Sequence, residues 1–497
     1  MRHNSRKIGG RAIDSGGYGC IFSPPIESYN CIGNTSKTSA NKKYISKLML
    51  KSDAEEEYRN SKRINDVIRR GDRSVLNYVL TDETTLCEVR KINKVDLDGF
   101  STHCKRLNEK GFNFSQGQLS DITPDKLRKL RTINTPYGGK NLYAIFNFLR
   151  TSQSTELQLD FCIDYALKVK ELYQRGIYKL YDLSPKIIHG DIKEENLICE
   201  FTDTPVISMG NIKIIDWGLS YFYDSEKSNN PDINLKSAMY QISRRPYQFN
   251  LPFIVLLYSS HFQDEYTQRV LNVLNSPRQS TKISQWQLIE QFCNSYFNNQ
   301  FFYESKNGER KYILDDFNKS IFIVIKRIFP NMVMSLEDYV RKYLATALHK
   351  YTYPTSSTQS TFMFTTSQSI RQRIVFHIDA LSSEVYLPMV DSYGFFLTYG
   401  SLLGYLLSNE IKTPLSYNTL SVNTPRPYLS SNSKSSSGIN MMGGNNKSIL
   451  LQVCKFIANS LLINCLTFDP NIKGREYRMK IFNHTNDIHN ELRKLTR

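Results

Sequence analysis

No apolar run in the sequence reaches the ~20 residues that a bilayer-spanning helix requires. The longest, YGFFLTYGSLLGYLL from Tyr393, falls short, and Asp391 and Ser392 before it suit the capped start of a buried helix. No membrane span is therefore expected. The opening residues, MRHNSRKIGGR, lack the apolar stretch of a secretory signal. Closely spaced cysteine pairs are missing too. Cys20, Cys31, Cys87, Cys104, Cys162, Cys199, Cys293, Cys454 and Cys465 are odd in number and scattered. That argues against a zinc site of short ligand spacing and predicts reduced thiols in a cytoplasmic compartment. There is no internal repeat and no module with base-reading spacing, so nucleic acid is not expected as a specific ligand.

Acidic side chains are in deficit: 64 Lys and Arg against 47 Asp and Glu leave a formal net charge of +17. Such an excess is either a solvated positive surface or a surface for acidic partners. Hydrophobic residues at 40% and charged residues at 22% are globular fractions and exclude wholesale disorder. The length allows two or more folded units.

RKIGGRAIDSGGYGCIFSPPI alternates apolar and small residues around glycines, as a strand, tight turn and strand would. KKYISKLML is a further predicted strand with Lys47 in its middle. SDAEEEYRNSKRINDVIRR reads as a helix with Ser52 as its N-cap, acids early and bases late. A strand-rich stretch is expected up to INTPYGGKNL, and helical periodicity from LQLDFCIDYALKVKELYQRG onward. These patterns predict an α+β chain, a small β-rich unit followed by a larger helical one.

Near the junction an apolar run meets a polar knot, IIHGDIKEENLICEF, and then NIKIIDWGLS. Two strand-like segments thus present Asp191, Lys193, Asn196 and Asp216 at their ends. Phosphoryl transfer asks for such a set: a group orienting the attacking hydroxyl, hard oxygen ligands for Mg²⁺, and positive charge near the transferred oxygens. Asp191 suits the first role, Asn196 and Asp216 the second, and Lys193 the third. A satisfied buried polar turn is the plain structural alternative.

HGDIKEEN resembles the catalytic loop of the eukaryotic-type protein kinase superfamily at every functional position except the Arg, and DWG stands for its D-F-G. DSGGYGCIF resembles the glycine-rich loop, with Asp14 in place of the first glycine. The resemblance implies that Ile13, Ser15, Gly16, Gly17, Tyr18, Gly19 and Ile21 cover a bound ATP, and that Lys47 holds its phosphates. Glu57 is the implied ion-pair partner of Lys47, with Glu56 as a rival. INTPYGGKNL resembles the hinge that binds adenine: Ile133 as gatekeeper, Asn134 and Pro136 flanking the purine. Pro136 has no N–H, so a register slip is expected there. RRPYQFNLPF stands where the activation segment ends, with Pro246 matched. Asp391 resembles the helix aspartate that braces the catalytic loop, and Arg475 the closing arginine, its glutamate partner missing.

The implied fold is a bilobal protein-kinase-like one. Its parts are an N-lobe over 1–133, a hinge over 134–142 and a C-lobe over 143–260 with the catalytic loop. A mostly helical insertion follows over 261–385, then a C-lobe helix over 386–411, a low-complexity, disordered stretch over 412–447, and C-terminal helices over 448–497. The implied cofactors are ATP and Mg²⁺, and the implied partners are protein substrates with Ser or Thr acceptors. SGGYGCIFSPPI, TPYGGKNL and RRPYQFNLPF look most like kinases of nucleocytoplasmic large DNA viruses such as iridoviruses, implying host cytoplasm and packaging into virions. Gly190, where many kinases place a phosphate-binding Arg, implies activity without activation-segment phosphorylation. Two rivals stand beside this reading. HGD and IIDW also suit a small-molecule kinase of the aminoglycoside or choline type, and Asp14, Pro136 and Gly190 suit a pseudokinase scaffold.

Overall fold

The computed structural model of the chain describes residues 10–16, 19–33, 43–115, 122–150, 155–202, 208–223, 250–276, 283–300, 302–304, 310–312, 335–354, 373–408, 444–461 and 474–495. Gly17, Tyr18, Arg244, Arg245, Pro246, Cys465 and nearly all of the low-complexity stretch lie outside these residues.

The glycine-rich segment forms strands β1 (Arg11–Gly16) and β2 (Gly19–Ser23), paired antiparallel with Gly16 opposite Gly19. β3 (Ser28–Gly33), β4 (Tyr44–Leu50), β5 (Thr85–Val89) and β6 (Leu130–Pro136) complete a six-stranded sheet in the order β1-β2-β4-β6-β5-β3. Every pairing in it is antiparallel. Register aligns Ile21 with Lys47 and Lys47 with Ile133. Side chains alternate along a strand, so Leu48 and Lys47 point to opposite faces. The Leu48 face closes over Phe22, Val89, Leu97, Phe100, Leu107 and Leu130 as a small core. On the other face Met49, Leu86 and Ile133 pack against Ala54 of helix α1 (Lys51–Arg70).

α1 buries Ala54, Glu57, Ser61, Ile64, Val67 and Ile68, a spacing of three and four that makes one stripe. Asp53 in its first turn and Arg69 and Arg70 in its last match the helix dipole. The expected cap is wrong by two residues. Leu50 is the N-cap, with no side-chain bond, and the Ser52 hydroxyl turns to Asp53 instead. The expected strand-rich stretch is also corrected. Between β5 and β6 the chain forms short helical turns, Lys94–Leu97, Phe100–His103, Lys105–Glu109 and Pro124–Arg128, because Leu97, Phe100 and Leu107 must all reach the Leu48 face.

Reduced thiols are contradicted. Disulfides join Cys20 to Cys104 and Cys31 to Cys87, linking positions 84 and 56 apart in sequence that the sheet brings together. Sequence spacing carries no trace of such neighbours. Cys162, Cys199, Cys293 and Cys454 are buried and outside these two disulfides.

The larger core gathers the helices Leu142–Arg150, Thr155–Glu171, Leu387–Ser408, Gly444–Leu461 and Gly474–Leu495. Short strands β7 (Lys140–Asn141), β8 (Lys186–Ile188) and β9 (Leu197–Cys199) lie upon it. β9 pairs with β7 on one side and with Lys213–Ile214 on the other, while β8 pairs with Tyr221–Tyr223. Residues 261–385 contribute the helices Gln285–Gln300 and Leu336–Tyr351 and two short antiparallel strand pairs. Phe262, Tyr266, Phe292 and Tyr296 of this region stack into the same core. The helix Leu387–Ser408 starts before Asp391, so Asp391 and Ser392 are interior residues and not its cap. Arg475 is exposed; the buried arginine is Arg478, one turn on, which bonds Asp182 at 3.1 Å and the Tyr178 carbonyl and lies over the Tyr178 and Tyr181 rings. The chain is α+β, and no helix among the described residues is long and apolar enough to cross a membrane.

Candidate functional site

Lys47 points from the middle of β4 to a place where three elements meet. Its Nζ donates to both Glu57 oxygens, at 3.0 and 2.8 Å, and to Asp216 Oδ1 at 3.1 Å. Glu57 sits on the buried stripe of α1, whereas Glu56 faces solvent. Burial pulls the Lys47 ammonium down, but Asp216 and Glu57 more than reverse this and hold it above its ordinary value. Burial likewise raises the Asp216 carboxyl, and Lys47 overrides it, with His189 and Lys193 adding to the effect. Asp216 ends below the usual carboxylate range and stays ionised.

The polar knot hangs between β8 and β9. The His189 and Gly190 amides donate to the two oxygens of Asp391, at 2.7 and 2.8 Å. A helix residue more than 200 positions away therefore fixes the backbone just ahead of Asp191. His189 is fully buried. Its Nδ1 accepts the Asp191 amide at 3.2 Å, so Nε2 is the nitrogen that donates to the Ile215 carbonyl at 2.9 Å. The ring stands edge-on to Trp217, 4.7 Å between centroids. Gly190 has φ +73, and a Cβ there would lie 3.0 Å from Tyr221 Cε1. A side chain at this position has neither a relaxed backbone nor free space.

Asn196 Nδ2 donates to the Asp191 carbonyl at 2.8 Å and to its Oδ2 at 3.0 Å. Lys193 Nζ meets the same Oδ2 at 3.1 Å. With its amide nitrogen so engaged, Asn196 turns its oxygen the other way. The Ile215 amide donates to the Asn196 carbonyl at 3.0 Å, which keeps Asp216 beside Asn196. Asp216 itself is left-handed, φ +62, an uncommon conformation for a side-chain residue that aims its carboxylate out of strand register. An ionised carboxylate and an amide oxygen on neighbouring segments are hard oxygen donors of the kind Mg²⁺ takes when phosphate oxygens and water complete its shell. No group of three or more His, Cys, Asp or Glu suited to a metal occurs among the described residues, so any cation here draws on this mixed pair.

The other predicted residues divide. Ile21 stands opposite Lys47, and Ile13 lies at a bulge in β1, 39% exposed. Ser15 and Gly16 end β1, and Gly17 and Tyr18 lie outside the described residues. Gly19 has a packing reason of its own: a Cβ would come within 2.3 Å of the Leu48 carbonyl and 2.7 Å of Met49 Cγ. Ile133 is buried on the Lys47 face. Strand alternation turns the Asn134 side chain to the opposite face, where its amide meets Ser28 Oγ and Cys87 Sγ, leaving only its backbone on the hinge side. Pro136 is still paired with Tyr44 inside β6. The stretch beyond the sheet is Tyr137–Gly139, pressed so closely on β9 that a Cβ at Gly138 would meet Ile198 at 2.5 Å.

Asn250 was not singled out from the sequence. It is 2% exposed, and its Nδ2 donates to Asp191 Oδ1 at 2.9 Å and to the Ile192 carbonyl at 3.1 Å. A lone amide inside the apolar run FNLPFIVLLY was the available signal, since a buried polar group needs a partner.

No protein-family model matches the chain, and no curated protein does.

Proposed function

We propose that the chain is an ATP- and Mg²⁺-dependent phosphotransferase of the protein kinase type, with a bilobal arrangement, that passes the γ-phosphoryl group to Ser and Thr hydroxyls of proteins. The observation that carries this reading is one site joining Asp191, Asn196, Asp216 and the Lys47–Glu57 pair, drawn from two loops and the six-stranded sheet with its helix.

Each residue then has a task. Lys47, held by Glu57, presents fixed positive charge to the phosphates of ATP. Asp216 and Asn196 hold Mg²⁺, which supplies charge neutralisation at the phosphate oxygens. Asp191 orients the acceptor hydroxyl and receives its proton as the oxygen attacks the γ-phosphorus and the bond to the ADP oxygen breaks. Lys193, beside Asp191 and in part exposed, stands where charge builds on the transferred group. Pre-set charge of this kind is the main source of rate in such reactions.

The likeness of SGGYGCIFSPPI and TPYGGKNL extends the proposal to a viral kinase acting in a host cytoplasm and carried in virions. The disulfides remove the reduced-thiol argument for that compartment, leaving it to rest on the likeness alone.

Incubation of the purified chain with labelled ATP, Mg²⁺ and either a casein-like protein or aminoglycosides and choline tests the reading. Labelled phosphoserine and phosphothreonine are expected, with transfer lost in Asp191→Asn while ATP still binds. Transfer to the small alcohols alone moves the protein to the small-molecule kinases; no ADP release with any acceptor removes the enzyme reading.

A further inference from the structure

Asp191 is held by more than its own loop. A carboxylate offers about four acceptor positions, two on each oxygen. On Oδ2 two are taken, by Asn196 Nδ2 at 3.0 Å and Lys193 Nζ at 3.1 Å. On Oδ1 one is taken, by Asn250 Nδ2 at 2.9 Å. Among the described residues the fourth position is not taken, and it lies on the oxygen that Asn250 holds.

We infer that Asn250 is a positioning residue for phosphoryl transfer, selecting Oδ1 of Asp191 as the oxygen that accepts the substrate hydroxyl. This deepens the function proposed above and rests on it. Asn250 is itself rigid. It is buried, and it bridges Asp191 to the Ile192 carbonyl, so its amide ties the carboxylate to the backbone that follows. Gly394 of the Leu387–Ser408 helix underlies both: a Cβ there would lie 2.6 Å from the Ile192 carbonyl and 3.0 Å from that of Asn250. The same helix carries Asp391, three residues earlier, which holds the backbone ahead of Asp191. One helix thus sets the loop from one side through Asp391, and seats Asn250 against it from the other. Without the amide, Asn196 and Lys193 still hold Oδ2 but Oδ1 loses its tie to the backbone, so the carboxylate can tilt about its Cβ–Cγ bond and lose the hydroxyl-facing geometry, while Lys47 and Asp216 are untouched.

The test is steady-state kinetics of Asn250→Leu and Asn250→Ala with ATP, Mg²⁺ and the protein acceptor, alongside thermal melting. Leu keeps the branched heavy-atom outline of Asn but has no donor; Ala loses both. A hydrogen bond to a charged group is expected to lower kcat by about ten- to a hundredfold in both variants. KM for ATP should stay within about twofold of wild type. A residue that only fills space would instead leave Asn250→Leu at wild-type kcat, and that result overturns the inference. So does a fall in kcat accompanied by an equal rise in KM for ATP, or melting of both variants below the assay temperature, either of which assigns Asn250 to the fold. A wild-type chain that transfers no phosphoryl group overturns the proposed function, and this inference with it. An active wild type with unaffected variants overturns this inference alone.

Discussion

Gly190 and Asp216 are both left-handed, yet only one of them is glycine. At Gly190 the backbone must turn so that two successive amides face Asp391, and the Tyr221 ring fills the space a side chain needs. At Asp216 the carboxylate is itself the purpose, and Lys47 compensates the conformation with an ion pair. Gly190→Ala should therefore destabilise the fold by about 1–2 kcal/mol, the penalty of a left-handed side-chain residue, as read in the midpoint of urea unfolding. A neutral substitution would mean that Tyr221 and the loop shift without loss. An arginine at 190, the residue of many kinase loops, meets the same obstacle, which is why its absence here is a matter of backbone as well as charge.

Among the elements, the six-stranded sheet is unusual in its staples. Cys20 lies on β2, and its bond to Cys104 ties that strand to the helical turns covering the Leu48 face. Cys31 on β3 is bonded to Cys87 on β5, closing the sheet's far edge. By the chain-entropy argument a loop of 84 residues contributes roughly 4 kcal/mol. Reduction with excess dithiothreitol should lower the melting temperature, and Cys104→Ser should do the same without reductant. Equal melting of reduced and oxidised protein, after mass spectrometry has confirmed both states, would show that the staples add nothing. Helix α1 depends on the same sheet, for it places Glu57 by packing Ala54 against Met49, Leu86 and Ile133. Arg63 of α1 also lies 3.8 Å over the Phe222 ring, a second tie to the segment that follows Asp216.

At the scale of the whole molecule, the Lys47–Asp216 contact joins the two cores. Asp216 is depressed in the folded state, since Lys47 outweighs its burial. Such a carboxyl contributes stability above its unfolded value, about 3.9, and loses it as the pH falls through the lower folded one. Lys47 is raised, so its contribution is complete below the unfolded value of about 10.4 and fades only above it. Lys47→Met leaves the buried Glu57 and the part-buried Asp216 as uncompensated charges and should cost about 3 kcal/mol near neutrality. The gap between wild type and variant is expected to be widest between about pH 5 and 9. It should narrow below about pH 4, where both carboxyls take up protons. Denaturant unfolding at pH 3.5 and 7 measures it; a gap that is constant with pH excludes an electrostatic origin.

Much of this was legible along the chain because it depends on neighbours in sequence. The pair of strands β1 and β2, the strand carrying Lys47, the stripe of α1 and the polar knot from His189 to Asn196 each follow from spacing over a few residues, the range over which strand and helix periods act. The choice of Glu57 over Glu56 needed only the direction of one helical stripe, which local pattern leaves open and packing decides. Contacts between distant positions were another matter. The Cys20–Cys104 and Cys31–Cys87 bonds, the contact of Asn134 with Cys87, the pairing of Arg478 with Asp182, and the reach of Asn250 to Asp191 all join segments far apart in sequence or depend on which face of a sheet is covered. No period within a segment encodes those pairings. They arise when two cores form and bring their edges together, and only the tertiary structure decided them.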